Sequence, residues 1–574
     1  MARRISKKAP IFGLSLALLI ALSLPALATP PSDRNPKDPI ELLYGHKRLS
    51  FTDVGEPVLT VRLMEGKREI SIISQGAARI EGWRMNRSSS LDVPAGSSWT
   101  FRLKNGRAAE LRHFVQVGEF RIEDRQGLDA ARAAWKGRGL EVRIERIGSR
   151  YCLPGHSDDG AAQRFIDTRR DLLLLAPAHQ TIELAEALQR SIQSAHGLDT
   201  AAQIFSTVEK RSQGEIEVMD SAGKVRLVAD TLISITPGTD GATTLVRQVE
   251  FGVGYAFHNH QDRAFRGELI VATDAAGMLA LVNRLPIEAY LRGVVPSEIF
   301  ARAHPEALKA QAVTARGEVL AKIGTRHLAD PYLLCADQHC QVYSGLTGEA
   351  ASTDKAIADT RGELLFSEDG KLVASAYSAV CGGHTEDNEI VWSALPDPAL
   401  RGRPDVPKID QKVSTNSDPG ALHTFLSTPP QAFCSQASLA SPTKFRWEKR
   451  FSRAQMDALT ADLGIGPIVA LSFSERGASG RARVLTLSGE QGARQIRGEL
   501  NIRRRFQNLN STMAEIEAPS GEGQPDWIFR GGGWGHGVGM CQIGAIGRAE
   551  AGQSYRDILR HYFNGATPRR VGGK

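Results

Sequence analysis

The chain has 574 residues, enough for three or four domains of ordinary size, and its 41% hydrophobic and 24% charged content is that of a globular protein. The formal net charge is +7, but Arg3, Arg4, Lys7 and Lys8 lie in a first segment of 28 residues without acidic side chains, so the remainder carries +7 minus 4, or about +3. So small an excess excludes the electrostatic footprint of a nucleic-acid binder and leaves a mild preference for anionic polymers.

Residues 1–28 predict a secretory signal peptide: a basic start, an apolar run from Ile11 to Leu24, and a small-x-small site at Ala26-Leu27-Ala28. The apolar run is short for a spanning helix, and no other run could cross a bilayer. The expectation is an exported chain, periplasmic or associated with the cell wall, with no membrane span after cleavage. Residues 29–55 are a linker whose first part is rich in proline. Residues 56–118 form a leading β part, with strands predicted at Val58–Leu63 and Ile70–Ile73.

Residues 119–210 are expected to be an inserted α/β module. Phe114–Phe120 is strand-like, Leu128–Trp135 is a helix before Gly137 and Gly139, and Leu140–Ile144 alternates again. This β-α-β order, with Val115-Gln116-Val117-Gly118-x-Phe120 before the helix, resembles the start of a SPOR domain, a module that binds glycan strands stripped of peptides.

Residues 211–574 are expected to be one core domain. Short strands run from Ile216 to Val271, and Met278–Asn283 leads into Val294-Val295-Pro296-Ser297-Glu298. That spacing places Glu298 at a tight turn between an apolar strand and the amphipathic helix of Leu308, Ala312, Ala315 and Val319. Residues 396–445, rich in Pro, Ser and Thr, are expected to be a long surface excursion, and Tyr555–Tyr562 a terminal helix. The fold class is therefore α+β, a β-rich multidomain protein.

Several segments recur in order: Leu285-Pro286-Ile287-Glu288-x-Tyr290-Leu291-x-Gly293-Val294-Val295-Pro296-Ser297-Glu298, Ala307–Arg316, Gln341-Val342-Tyr343, Tyr377-Ser378-Ala379 with Gly382-Gly383-x-Thr385-Glu386, and Gly535-His536-Gly537-Val538-Gly539-Met540-x-Gln542. Together they resemble the sporulation stage II protein D / amidase enhancer (SpoIID/LytB) family across roughly half the chain. The resemblance implies a peptidoglycan lytic transglycosylase that cuts between N-acetylmuramic acid and N-acetylglucosamine, with Glu298 as the one catalytic acid. Other members modify an autolytic N-acetylmuramoyl-L-alanine amidase, so a non-catalytic enhancer that binds peptidoglycan is the alternative. The expected partners are glycan strands and, for the enhancer, a cell-wall amidase. By position, Ser297, Arg316, Tyr343 and Ser378 are candidate glycan contacts. The sequence departs from the family at Gly317-Glu318, where members carry a small and then an aromatic residue.

One carboxylate suits this chemistry. A hydrolytic glycosidase needs two, whereas attack by the muramic C6 hydroxyl on its own ring is intramolecular and needs only proton transfer. The glycine-rich run from Gly531 to Gln542 is not a nucleotide loop. Trp534 could stack on a sugar while His536 and Gln542 bond hydroxyls, or the run could be a structural turn. Six cysteines behind a signal peptide permit disulfides. Cys381 and Cys434 flank the excursion and are the expected pair. His327, Cys335, His339 and Cys340 cluster without the spacing of a standard finger or ribbon. No cofactor is expected there; a local disulfide or two free thiols is favoured over zinc held by His327, Cys335 and Cys340.

Overall fold

The structure is a computed structural model that describes residues 41–44, 49–85, 87–153, 164–196, 202–230, 232–239, 241–252, 258–392, 395–407, 419–521 and 525–571. The signal peptide and the proline-rich part of the linker lie outside the described residues. Among the described residues, no helix is long and apolar enough to cross a membrane. The chain is β-rich, with helices gathered around several sheets.

Two sheets form the first body. One runs in the order Ser50–Phe51, Pro57–Lys67, Leu279–Pro286, Glu268–Thr273, Leu232–Pro237, Ala78–Arg84, Arg87–Val93. The other runs Val225–Asp230, Gln213–Met219, Ser98–Arg107, Glu69–Ser74, Thr244–Phe251, Asn259–Phe265. Leu59, Ile72, Phe101, Ile216, Ile233 and Leu281 share one core between them. Strand Glu69–Ser74 alternates buried and less buried residues, as a half-covered strand should. Leu279–Pro286 is buried almost throughout. Its Leu281 faces the shared core, while Val282 packs with Leu43, Ile270 and Tyr332 on the other side.

The inserted module leaves and re-enters this body at adjacent points, because Arg107 and Gln213 are paired across a ladder. Its four strands are Glu110–Arg121, Val142–Ile147, Arg170–Leu175 and Gln203–Lys210, with helices Arg125–Gly137 and Ile182–His196 between them. The element order is β-α-β-β-α-β, and the strands lie fourth, first, third, second, all antiparallel. Leu128, Trp135 and Ile192 of the helices cover Val115, Val117, Leu173 and Leu175 on one face. The opposite face buries Phe114, Leu172 and Phe205 together with Leu328 of the main body. The boundary expected at residue 119 falls inside the first strand. The leading β part ends near Arg107, because the pairing of Glu110–Arg121 is with inserted strands only.

The strand Leu279–Pro286 runs directly into helix Ile287–Glu298, and Pro305–Ala321 follows as a second, almost entirely buried helix. Val294 and Val295 are thus helical rather than extended, and Glu298 closes a helix instead of preceding one. Gly317 lies in the second helix where a Cβ would run into the Ser375 hydroxyl, which accounts for the small residue there. Residues 446–532 add smaller sheets around a separate core of Trp447, Phe451, Leu485, Phe506 and Phe529. Among the described residues of 396–445, expected to be a surface excursion, Asp405, Leu422, Phe425 and Cys434 are buried, so the stretch is anchored in the core at these points. The terminal helix Tyr555–Tyr562 forms as expected, capped by Ser554.

Candidate active site

Glu298 is the last residue of its helix, one turn beyond Val294 and two residues after Pro296. A carboxylate at a helix C-terminus meets the negative end of the macrodipole, so the anion is disfavoured there. The side chain is partly exposed, and its Oε1 accepts a hydrogen bond from the Val342 N–H at 3.1 Å. Burial pushes the Glu298 carboxyl above the usual carboxylate range. The Val342 N–H, Lys322 and the Tyr377 hydroxyl pull against that rise, and Glu318 adds to it. Glu318 itself is paired with Lys322 at 2.7 Å.

Tyr377 was quoted in the recurring segments but not picked out as a site residue. Its hydroxyl lies near enough to the Glu298 carboxyl to favour the charged form, and it accepts from Gln341 Nε2 at 3.2 Å. Burial and the Glu298 charge hold that phenol well above its ordinary pKa, so it is a neutral donor. Gln341 is fixed in turn: its Oε1 accepts from the Tyr290 hydroxyl at 3.2 Å, and its Nε2 also donates to the Ala315 carbonyl at 3.1 Å. Tyr377 and Ser378 form a two-residue strand parallel to Met540–Cys541. Consecutive strand residues point opposite ways, so when Tyr377 faces the carboxyl, Ser378 cannot.

Of the expected glycan contacts, Gln542 and Ser297 lie beside Glu298. Gln542 Nε2 donates to the Glu298 backbone carbonyl at 2.9 Å and to Gln311 Oε1 at 3.2 Å. Ser297 Oγ donates to the Gly293 carbonyl at 3.0 Å and lies 3.0 Å from the Ser344 hydroxyl. His536 supports the site from behind: Nε2–H donates to the Tyr377 carbonyl at 2.9 Å, and Nδ1 accepts from the Val538 N–H at 3.1 Å. That pattern fixes a neutral tautomer. Burial, with Arg481 and Arg503 adding, takes its pKa down to about 3, so His536 does not exchange protons near neutrality.

Three other expectations give way to packing. Arg316 is buried and forks onto Glu288 at 2.9 and 2.8 Å while donating to the Glu363 carbonyl at 2.9 Å. It lines a cavity of about 300 Å³ with Glu56, Glu288, Arg361 and Arg570, and Glu298 is not among the lining residues. Tyr343 stacks with Phe265 and Tyr290 and donates its hydroxyl to Asn283 Oδ1 at 2.8 Å. Ser378 Oγ accepts from the Gly537 N–H at 3.2 Å.

The glycine-rich run is a close-packed turn with an exposed edge. Gly537 has φ +78°, and a Cβ there would run into the buried Arg481 guanidinium; Gly539, at φ +71°, lies against the Ala376 carbonyl. Trp534 remains 41% exposed with the Lys444 ammonium 4.8 Å from its ring centre, and Trp392, 48% exposed, lies 5.1 Å from the His536 ring. Two exposed indoles beside a buried site offer stacking surfaces for a flat apolar ligand face.

The comparisons with known proteins agree with this arrangement. A family model described as Stage II sporulation protein (SpoIID) matches residues 275–366, which hold Glu298, Gln341 and Val342. A second model, Domain of unknown function (DUF8618), matches 386–539. The chain is 30% identical over 291 residues to the amidase enhancer of Bacillus subtilis (strain 168), a match covering 48% of this chain and 40% of that protein. It is 29% identical over 299 residues to stage II sporulation protein D of Bacillus amyloliquefaciens, covering 50% of this chain and 74% of that one. By these matches residues 275–366 are a SpoIID domain.

The region matched by the SpoIID model also holds the His327 cluster. One donor atom from each of His327, Cys335, His339 and Cys340 lies within 4.8 Å of the other three, and both thiols are unbonded. His327 Nδ1 is held by Asp330 Oδ2 at 3.0 Å, which turns Nε2 toward Cys340 Sγ at 3.3 Å. Two imidazoles and two thiols with an oriented histidine fit four-coordinate zinc. The two thiols are free, one of the two forms expected there, and with His339 the donor set is larger than the His327, Cys335 and Cys340 of the zinc alternative. The expected Cys381–Cys434 pair is also unbonded, with sulfurs 3.6 Å apart.

Proposed function

We propose that the chain is a peptidoglycan lytic transglycosylase that cleaves the bond between N-acetylmuramic acid and N-acetylglucosamine, with Glu298 as its single acid and base. The observation that carries the reading is the Glu298 carboxyl, raised in pKa by burial, seated at a helix C-terminus and bonded by the Val342 N–H, with the Tyr377 hydroxyl nearby. A carboxyl kept protonated can donate to the leaving glycosidic oxygen. As the muramic C6 oxygen closes on C1, its proton passes to the carboxylate that has just formed, which restores the acid. The C6 hydroxyl belongs to the same sugar, so no second carboxylate is needed to activate water. Glu318, the carboxylate that adds to the Glu298 shift, is held by Lys322. Trp534 and Trp392 would bear on sugar faces at the rim, and Gln542 would keep the Glu298 backbone in place.

The full activity, the glycan and the exported, wall-associated location belong to this proposal, since the chain spans 40% of the amidase enhancer that it resembles. The β-α-β-β-α-β module would add affinity for peptide-stripped glycan. Removing residues 110–210, whose ends meet at paired Arg107 and Gln213, should weaken binding to stripped sacculi; unchanged binding would deny the module that role.

The test is digestion of intact and of peptide-stripped sacculi by the purified protein, with mass analysis of the released sugars. Products ending in 1,6-anhydromuramic acid are expected, and reducing muramic ends would show hydrolysis instead. The name of the Bacillus subtilis relative favours a second reading, in which the chain stimulates an amidase without cutting glycan. No release from either substrate, with an added amidase accelerated equally by wild type and Glu298→Gln, would establish that reading.

A further inference from the structure

A second cluster of metal-binding side chains lies below the glycine-rich turn, away from His327. Cys381, Asp405, Cys434 and Cys541 are each at most 1% exposed, and one donor atom from each lies within 4.8 Å of the others. We propose that these four residues form a structural site for a thiophilic divalent cation, zinc by its donor set.

Two of the donor spacings are those of a tetrahedral site. With metal–sulfur bonds of about 2.3 Å and a metal–oxygen bond of about 2.0 Å, tetrahedral geometry places two sulfurs about 3.8 Å apart and a sulfur and an oxygen about 3.5 Å apart. Cys381 Sγ is 3.6 Å from Cys434 Sγ and 3.5 Å from Asp405 Oδ2. A disulfide would need the sulfurs at about 2.05 Å and would leave the third cysteine and the carboxylate beside it without a role.

The surrounding atoms orient these donors as ligands. Asp405 Oδ1 accepts from Arg548 Nε at 2.9 Å and from the Tyr562 hydroxyl at 3.0 Å, which leaves Oδ2 turned toward the sulfurs. Cys541 Sγ accepts from the Cys381 N–H at 3.1 Å and the Gly544 N–H at 3.2 Å, at the start of helix Gln542–Glu550. A Cβ on Gly544 would run into Asp405 Oδ2 and the Tyr562 hydroxyl, so glycine keeps this space open. Such outer hydrogen bonds hold metal ligands in place.

The charges also balance. Three thiolates and one carboxylate carry four negative charges, of which a divalent cation offsets two. Arg548 binds Asp405 directly, Arg481 donates to the Cys381 carbonyl at 3.1 Å, and Arg446 donates to the Gly382 carbonyl at 2.9 Å. Four protein ligands close the coordination sphere, the mark of a structural rather than a catalytic ion. The ligands tie together the turn after Tyr377, the loop at Asp405, the helix Phe433–Gln436 and the glycine-rich segment. The residue after Cys541 is Gln542, which holds the Glu298 backbone. The site is independent of the glycan reading.

Full-length protein is purified without chelators, and its zinc is counted by elemental mass spectrometry. Two zinc ions per chain are expected. Replacing Cys335 and Cys340 by alanine should remove one and leave the other, and adding Cys434→Ala should remove that second ion. Cobalt loaded into the Cys335→Ala, Cys340→Ala protein should show the intense sulfur-to-cobalt bands of a tetrahedral thiolate site. No metal in that variant, weak bands of octahedral cobalt, or a Cys381–Cys434 disulfide on non-reducing peptide mapping would overturn the proposal. If the double variant does not fold, the wild-type count decides: two ions support the site, and one or none overturns it.

Discussion

Two regions meet at Glu298, and they use their polar atoms in opposite ways. At the helix end, the carboxyl is partly exposed, raised in pKa and accepts a hydrogen bond from the Val342 N–H. In the glycine-rich segment, His536 is tied through both ring nitrogens, Gly537 packs on Arg481, and Gln542 bonds Gln311 and the Glu298 carbonyl. The first region retains a group able to exchange a proton; the second immobilises the residues around it. Proximity therefore does not identify the chemistry here, whereas the hydrogen bonds already made do.

The largest expected effect falls on the helix end. Glu298→Gln keeps the shape but cannot supply a proton, and it should lower the rate of glycan release by about 10²–10⁴ while glycan binding persists. A variant with wild-type rate would move the chemistry elsewhere. The same substitution has a stability signature. A carboxyl whose folded pKa is raised favours folding fully below its unfolded pKa, and that contribution is lost as pH rises through the folded value. Thermal unfolding of the wild type should therefore worsen relative to Glu298→Gln as pH climbs across that window.

Tyr377→Phe comes next. It removes a hydroxyl that favours the charged Glu298 carboxylate and should cost about tenfold in rate, with a displaced pH profile. An unchanged profile would make Tyr377 mere packing. The smallest effect on rate belongs to the glycine-rich segment. Gly537→Ala should lower stability by about 1–3 kcal/mol through its positive φ and the Arg481 contact. The rate per folded molecule, measured well below the melting temperature, should stay near wild type. A large loss of rate in fully folded Gly537→Ala would erase the contrast between the two regions.

Much of this was legible before the fold was known, and the gaps have physical causes. Glu298 stood out as the carboxylate that closes Val294-Val295-Pro296-Ser297-Glu298, and the strand–helix–strand order near residue 115 pointed to the inserted module. Val294 and Val295 suggested a strand because β-branched residues favour sheets, yet they form the buried face of a helix. Tyr377 was hidden because a two-residue strand has no visible alternation. Asp405 escaped notice because its nearest cysteine in sequence is 24 residues away, and only the fold brings the two together. Arg316 and Tyr343 lay in the right segments, but sequence does not reveal that their polar atoms are engaged by Glu288 and Asn283.

The central claim is that one carboxyl of raised pKa drives the reaction, and the pH dependence of 1,6-anhydromuramic release tests it most directly. The account predicts activity that persists above the ordinary carboxylate range and falls as pH rises through the raised Glu298 pKa, with Glu298→Gln lacking that limb. A rate that instead increases with pH across the same range, or a limb that survives in Glu298→Gln, would contradict it.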